Sequence, residues 1–364
     1  MTSNVVLLNQ EDFLFTVYSK PARGRRPIRQ HLWFGAREIN TARSVDSMSS
    51  TPILISIVIP TWNRPVLLGR LVELINAENE AGDIEVVIVD DCSEEKNWKL
   101  LQDIAASNLN VKLYRNATNI GMTRNWNKAI EYARGQWIGF MCDDDLFKPD
   151  SIERIRKLIS TTPKPCLILQ NSSISFESEW IEPGVAAANR VALPPASGQF
   201  WHREITEKLG AFDERVKYCP DAEFWLRLAY HYPVLLVRDY LVIPYQHDTN
   251  YMWEIFRRPD FLEQVTLSIT ISSQWLLGEN ATDRQLVQYQ IDDGIWETLR
   301  TVLNNTFLKS GEMKNFPRYL IEFIRYSFVM NRKRLMVKTI ARLPLLRAKD
   351  FLRPIANQWG LLKK

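Results

Sequence analysis

Cysteine and histidine are sparse, four of each in 364 residues. The cysteines, at 92, 142, 166 and 219, lack both the paired spacing of a metal knuckle and the density of a stapled secreted domain, so a reducing, cytoplasmic setting is the expectation. The Asn-X-Ser/Thr matches at Asn116 and Asn304 then carry no glycosylation reading. No stretch reaches 18 uninterrupted apolar residues, so neither a membrane-spanning helix nor an ordinary signal peptide is expected. Glycine is scarce, 14 in all, and the loop after the first apolar run, 60–65, has none. That loop is not a glycine-rich phosphate cradle. What the chain does have is length and 46% apolar residues, enough for one large core and an accessory region.

The most informative segment is WIGFMCDDDLFKPD. Its bulky apolar start reads as a buried strand, so Asp143, Asp144 and Asp145 fall where that strand leaves the core. Two carboxylates ~4 Å apart repel by roughly 4 kcal/mol at an effective dielectric of 20, so the cluster calls for a cation. Oxygen ligands suit Mg2+ or Mn2+. The plainer reading is a solvated acidic turn, with Asp145 or Asp150 capping a helix that starts near Ser151.

Upstream, ISIVIPTWNRP reads as a buried strand opening into a polar loop, with Asn63 as a cap and Pro65 in the first turn of a helix. That helix carries Leu68, Leu71, Val72 and Ile75 on one face. IEVVIVDDCS is a second strand, ending in Asp90 and Asp91, and VKLYRN a third. A further helix, with Met122, Trp126, Ala129, Ile130 and Ala133 on one face, leads to the strand before Asp143. Strands alternating with helices predict a mostly parallel, doubly wound α/β sheet whose ligands bind outside the carboxyl ends of the strands. Four polar clusters, 60–64, Asp90 with Asp91, 119–124 and 143–145, converge on that rim.

IPTWNRP, VIVDDCS, NIGMTRNWNKAIEYARGQWIGFMCDDDLFKPD and GAFDERVKYCPDAEFWLRLA, in this order over about half the chain, resemble the family 2 glycosyltransferases with the Rossmann-like GT-A fold. The resemblance implies a nucleotide-sugar donor, a UDP-sugar favoured, a divalent Mn2+ or Mg2+, and inversion at the anomeric carbon. It places Pro60, Thr61, Trp62, Asn63, Arg64, Asp90, Asp91, Arg124 and Asp143 on the donor side, with Trp62 packing against the base and Asp91 accepting hydrogen bonds from it. Asp144 takes the position of the metal-binding acid, joined by Asp145 and by His247 near the metal or diphosphate. Cys142 stands where the family's first metal acid usually is, and reads either as a small buried residue or as a soft ligand.

Asp221 stands where the family has its catalytic carboxylate, the base that removes the acceptor hydroxyl's proton. It also reads as a helix N-cap. Pro220 replaces the Glu the family more often has there. Glu223 is the alternative base on the acceptor side, and Trp201 either stacks on an acceptor sugar or lies in the core. The membrane spans and Gln-x-x-Arg-Trp motif of processive synthases are missing, which favours a non-processive enzyme acting on a glycan or lipid-linked glycan in surface polysaccharide assembly. A nucleotidyltransferase and a catalytically silent protein of the same fold are the alternatives.

Charge is unevenly placed. Residues 325–364 carry eleven Lys and Arg against Asp350 alone, while the whole chain is only +4. Leu, Ile, Phe and Trp359 are interspersed, so this stretch reads either as the basic outer face of a helical region or as a peripheral contact with an anionic membrane. No nucleic-acid-binding motif accompanies the charge, and nucleic acid is not an expected partner. The expected layout is an N-terminal extension, 1–50, without clear period, a GT-A domain, 51–255, and a helical, basic region, 256–364.

Overall fold

The computed structural model describes residues 52–277 except 163–164, 171–177, 185–195, 239–240, 244–254, 256–257 and 259, then single residues between 292 and 303, and 316–329. The expectations for 1–50, for His247 and for 330–364 lie outside the described residues.

Four strands alternate with three helices: β1 (Ile55–Thr61), α1 (Pro65–Ala77), β2 (Ile84–Asp90), α2 (Glu95–Ala106), β3 (Val111–Arg115), α3 (Met122–Glu131) and β4 (Trp137–Phe140). There follow β5 (Leu146–Phe147), α4 (Ser151–Thr161), β6 (Leu167–Gln170), β7 (Ser178–Ile181), β8 (Gln199–His202), α5 (Arg203–Leu209), α6 (Pro220–His231), β9 (Val234–Val237) and β10 (Val242–Ile243). Two helices, α7 (Phe261–Leu277) and α8 (Phe316–Val329), come last among the described elements. One eight-stranded sheet has the order β3-β2-β1-β4-β8-β6-β9-β7, and β5 pairs with β10 beside it.

The alternation of β1 sorts its residues onto two cores. Ile55, Ile57 and Ile59 meet the α1 stripe Leu68, Leu71, Val72 and Ile75, while Val58 meets Ala129, Ile130 and Ala133 of the α3 side. A strand covered on both faces has no polar position to alternate with, which is why β1 and β2 read as nearly continuous apolar runs. The parallel expectation holds for β3, β2, β1 and β4. It gives way at β8, which runs antiparallel to both β4 and β6. The sheet is therefore mixed.

Two expected caps are replaced by distant side chains. Asn63, at φ 59°, does not cap its own helix; its Oδ1 accepts from the Glu94 N–H and from Asn97 Nδ2, both at 2.9 Å, at the start of α2. Asp150 does not cap α4 through its side chain. It is in the left-handed region, and Glu78, just past the end of α1, accepts the Ile152 N–H at 2.8 Å instead. Each choice ties one α/β unit to another, which a local cap cannot do.

Gly139 faces Phe200 across the β4–β8 pair, and a Cβ built there would lie 2.2 Å from a Phe200 ring carbon. Gly139→Ala is expected to cost about 1–3 kcal/mol through overpacking. A shifted denaturation midpoint with an unchanged slope checks this.

Candidate active site

Strand order reverses between β1 and β4, and the crevice at that switch point is where an open α/β sheet binds its ligand. The end of β1 supplies Thr61 and the loop to Arg64; the end of β4 supplies 141–145. Thr61 Oγ1 donates to Asp143 Oδ2 at 2.7 Å, and Arg64 Nη1 bridges Asp143 Oδ1 at 3.2 Å and Asp144 Oδ2 at 2.8 Å. Positive charge for Asp143 and Asp144 is thus supplied from the end of the neighbouring strand. Burial pushes the Asp143 carboxyl up to about 6, with the Arg64 charge pulling against it. Asp143 is buried and turned toward β1, whereas Asp144 and Asp145 are half-buried.

One ligand atom each from Cys142, Asp144 and Asp145 lies within 4.8 Å of the others. The two carboxylates fit a hard divalent ion such as Mg2+ or Mn2+. Burial, and then the negative charges of Asp145, Asp144, Asp143 and Asp221, push the Cys142 thiol well above its ordinary value. This places Asp221, distant in sequence, in the electrostatic neighbourhood of the acidic rim.

The acids after β2 serve the walls of the crevice. Asp90 is fully buried, pushed up by burial, and accepts from the Ser93 backbone and hydroxyl. Asp91 accepts from Asn116 Nδ2 at 2.9 Å and from the Ile120 and Gly121 N–H groups at 2.8 and 3.0 Å. It thereby shapes the 116–121 loop, where Gly121 needs its φ of 88°. Trp62, after Pro60 and Thr61, is 52% exposed, a flat apolar surface at the mouth of the crevice. Arg124 is exposed and pairs with Glu214 at 3.1 Å.

Asp221 is not an N-cap. Cys219 holds that position at φ 53°, Pro220 is at the first helical position, where a missing N–H costs nothing, and Asp221 follows in the first turn of α6. Burial pushes its carboxyl up to about 6, although the N–H groups of Asp221 and Ala222 favour the charged form. A carboxyl raised in this way is suited to exchanging a proton.

Two acceptor-side expectations are corrected. Trp201 is fully buried: β8 lies between β4 and β6, and the indole packs edge-on against Phe224 and Trp225 while its Nε1 donates to Thr206 Oγ1 at 3.3 Å. Glu223 is also fully buried, paired with Arg227 at 2.6 Å. Arg227 spends its remaining donors on the carbonyls of Leu209, Gly210 and Ala211, so the pair fastens α6 to the end of α5. Sequence reading missed three polar side chains of α3. Thr123 Oγ1 donates to the Val216 carbonyl at 2.6 Å, Asn125 Nδ2 donates to the Val89 carbonyl, and Asn127 exchanges two bonds with the Phe212 backbone. The signal was there in three polar side chains, Thr123, Asn125 and Asn127, beside an otherwise apolar stripe.

Glu223→Ala strands the Arg227 charge and is expected to cost about 3–5 kcal/mol. A lowered denaturation midpoint checks this.

Comparison with known proteins bears on this site as a whole. Residues 56–222 match the model of Glycosyl transferase family 2. An "Uncharacterized glycosyltransferase" of Haemophilus influenzae is 27% identical over 186 residues, 48% of this chain and 62% of the relative. The "Putative colanic acid biosynthesis glycosyl transferase WcaA" of Escherichia coli is 35% identical over 107 residues, 29% of this chain and 37% of that protein. The chain spans less than two thirds of the curated relatives it matches. S. aureus TarS 1-349 in complex with UDP-GlcNAc has the same fold, with a TM-score of 0.58 at 17% identity over 75% of this chain and 80% of that one.

Proposed function

From a chain that belongs to glycosyl transferase family 2 through residues 56–222, we propose a metal-dependent, inverting, non-processive enzyme that moves a sugar from a nucleoside diphosphate to a glycan or lipid-linked glycan acceptor in surface polysaccharide assembly. The observation that carries this reading is that the half-buried acids Asp144 and Asp145 offer ligand atoms within 4.8 Å of each other at the sheet's switch point, and that the negative charge of Asp221 reaches the neighbouring Cys142. A UDP-sugar is favoured because Trp62 offers an exposed ring and because a structure of similar fold is in complex with UDP-GlcNAc. Pro60, Thr61, Asn63, Arg64, Asp90, Asp91, Arg124 and Asp143 form or brace the donor side of the crevice.

In this reading the Asp221 carboxylate takes the proton of the acceptor hydroxyl as its oxygen attacks the anomeric carbon, and the nucleoside diphosphate departs from the opposite face with the bonding electrons. Asp144 and Asp145 would hold Mn2+ or Mg2+, whose chemistry there is to neutralise charge on the departing diphosphate. His247 is a further candidate beside them. The basic stretch 325–364 would contribute about 1 kcal/mol per Lys or Arg at an anionic membrane, which flotation of the chain with and without 331–364 tests.

Metal-dependent release of nucleoside diphosphate across a panel of nucleotide sugars tests the activity. Asp144→Ala is expected to abolish Mn2+-dependent donor binding in calorimetry, and parental binding would refute the ligand assignment. Asp221→Asn should keep donor binding while transfer falls by roughly 10²-fold or more, in kcat rather than in donor KM.

The pH dependence has a definite sign. The base must be ionised, so kcat/KM should fall as pH drops through about 6. Asp143 and Asp221 are both raised in the folded state, so their contribution to stability is complete below the ordinary carboxylate range and lost as pH rises through about 6. Between pH 7 and 5 the contribution of these groups to stability should rise while activity falls, which parallel melting and rate profiles can resolve.

A further inference from the structure

The segment 216–219, which leads into Asp221, is held from two sides. α3 grips it through Thr123 Oγ1, which donates to the Val216 carbonyl at 2.6 Å. α7, outside the 56–222 family segment, grips it from the other. The Lys217 N–H donates to Gln264 Oε1 at 2.7 Å, and Ser268 Oγ donates to the Cys219 carbonyl at 3.5 Å. The Tyr218 hydroxyl donates to the Asp260 carboxylate just before α7, at 3.3 and 3.5 Å to its two oxygens. Between these bonds Cys219 adopts φ 53°, a left-handed conformation that a residue with a side chain keeps only when its surroundings impose it. The reversal at Cys219 starts α6 at Pro220 and so fixes where Asp221 stands.

We infer that Gln264 and Ser268 of α7 are positioning residues for Asp221, holding Lys217 and Cys219 so that the first turn of α6 presents the carboxylate to the acceptor. This rests on the reading of Asp221 as the base. The helix beyond the family segment is then part of the reaction geometry. A displacement of about 1 Å at a reacting group can cost 10²-fold in rate.

The test compares Gln264→Leu, Gln264→Glu, Ser268→Ala and Asp221→Asn in the full chain, with melting temperature, donor affinity by calorimetry, donor KM and transfer kcat measured for each. Gln264→Leu, half-exposed in the parent, should lower kcat by roughly tenfold to a hundredfold with donor affinity and KM unchanged. Gln264→Glu keeps an acceptor oxygen for the Lys217 N–H and should restore most of the rate. Ser268→Ala should show a smaller loss of the same pattern, and decides the matter if Gln264→Leu does not fold. Parental kcat in both Gln264→Leu and Ser268→Ala, with Asp221→Asn inactive, overturns the positioning role alone. Donor affinity falling together with kcat, or no rescue by Gln264→Glu, also overturns it. Asp221→Asn transferring at the parental rate overturns the base reading and this inference with it.

Discussion

The site depends on one contact, the bridge from Arg64 to Asp143 and Asp144 across the β1–β4 switch point. Three adjacent acids leaving a buried strand repel one another, and the repulsion must be met from inside the fold or from solution. Here the loop after β1 delivers a guanidinium and the Thr61 hydroxyl to the same acids. The contact ties the loop after β1 to the loop after β4, beyond the ladder that pairs the two strands. Asp143 is buried beside the end of β1, and Asp144 and Asp145 are half-buried.

The remaining walls follow the same pattern, in which a carboxylate at a strand end orders the adjoining loop. Asp90 orders the turn at Ser93, and Asp91 orders 116–121 by accepting two backbone N–H groups and the Asn116 amide. Side chains so engaged are locked before a ligand arrives, which is the condition for a site that recognises rather than adapts. The exposed ring of Trp62 is the contrasting element.

Much of this was legible in the sequence because β1, β2 and β4 are covered on both faces and so read as unbroken apolar runs ending in acids. The order of elements through β4 and the rim residues follow from that alone. What was not legible involves partners far apart in the chain. Asn63 caps α2 and Glu78 serves α4, although each sits where a local role was natural. Glu223 reads as an alternative base on the acceptor side, and only its pairing with Arg227, itself bound to the carbonyls of 209–211, shows it to be buried. Trp201 turned inward because β8 is an interior strand, and its antiparallel insertion has no signature in the apolar pattern of 199–202.

That insertion also has a consequence for how the chain comes to be folded. On one side of β8 the strands β1 to β4 pair in parallel through crossovers between elements close in sequence; on the other, β6 and β9 pair in parallel with β7 at the edge. During synthesis the first group is complete before β8 exists, so its ladder can close while β4 still presents an open edge. Phe200 seating over Gly139 covers that edge, and β8 is the seam between the two parallel groups of the sheet.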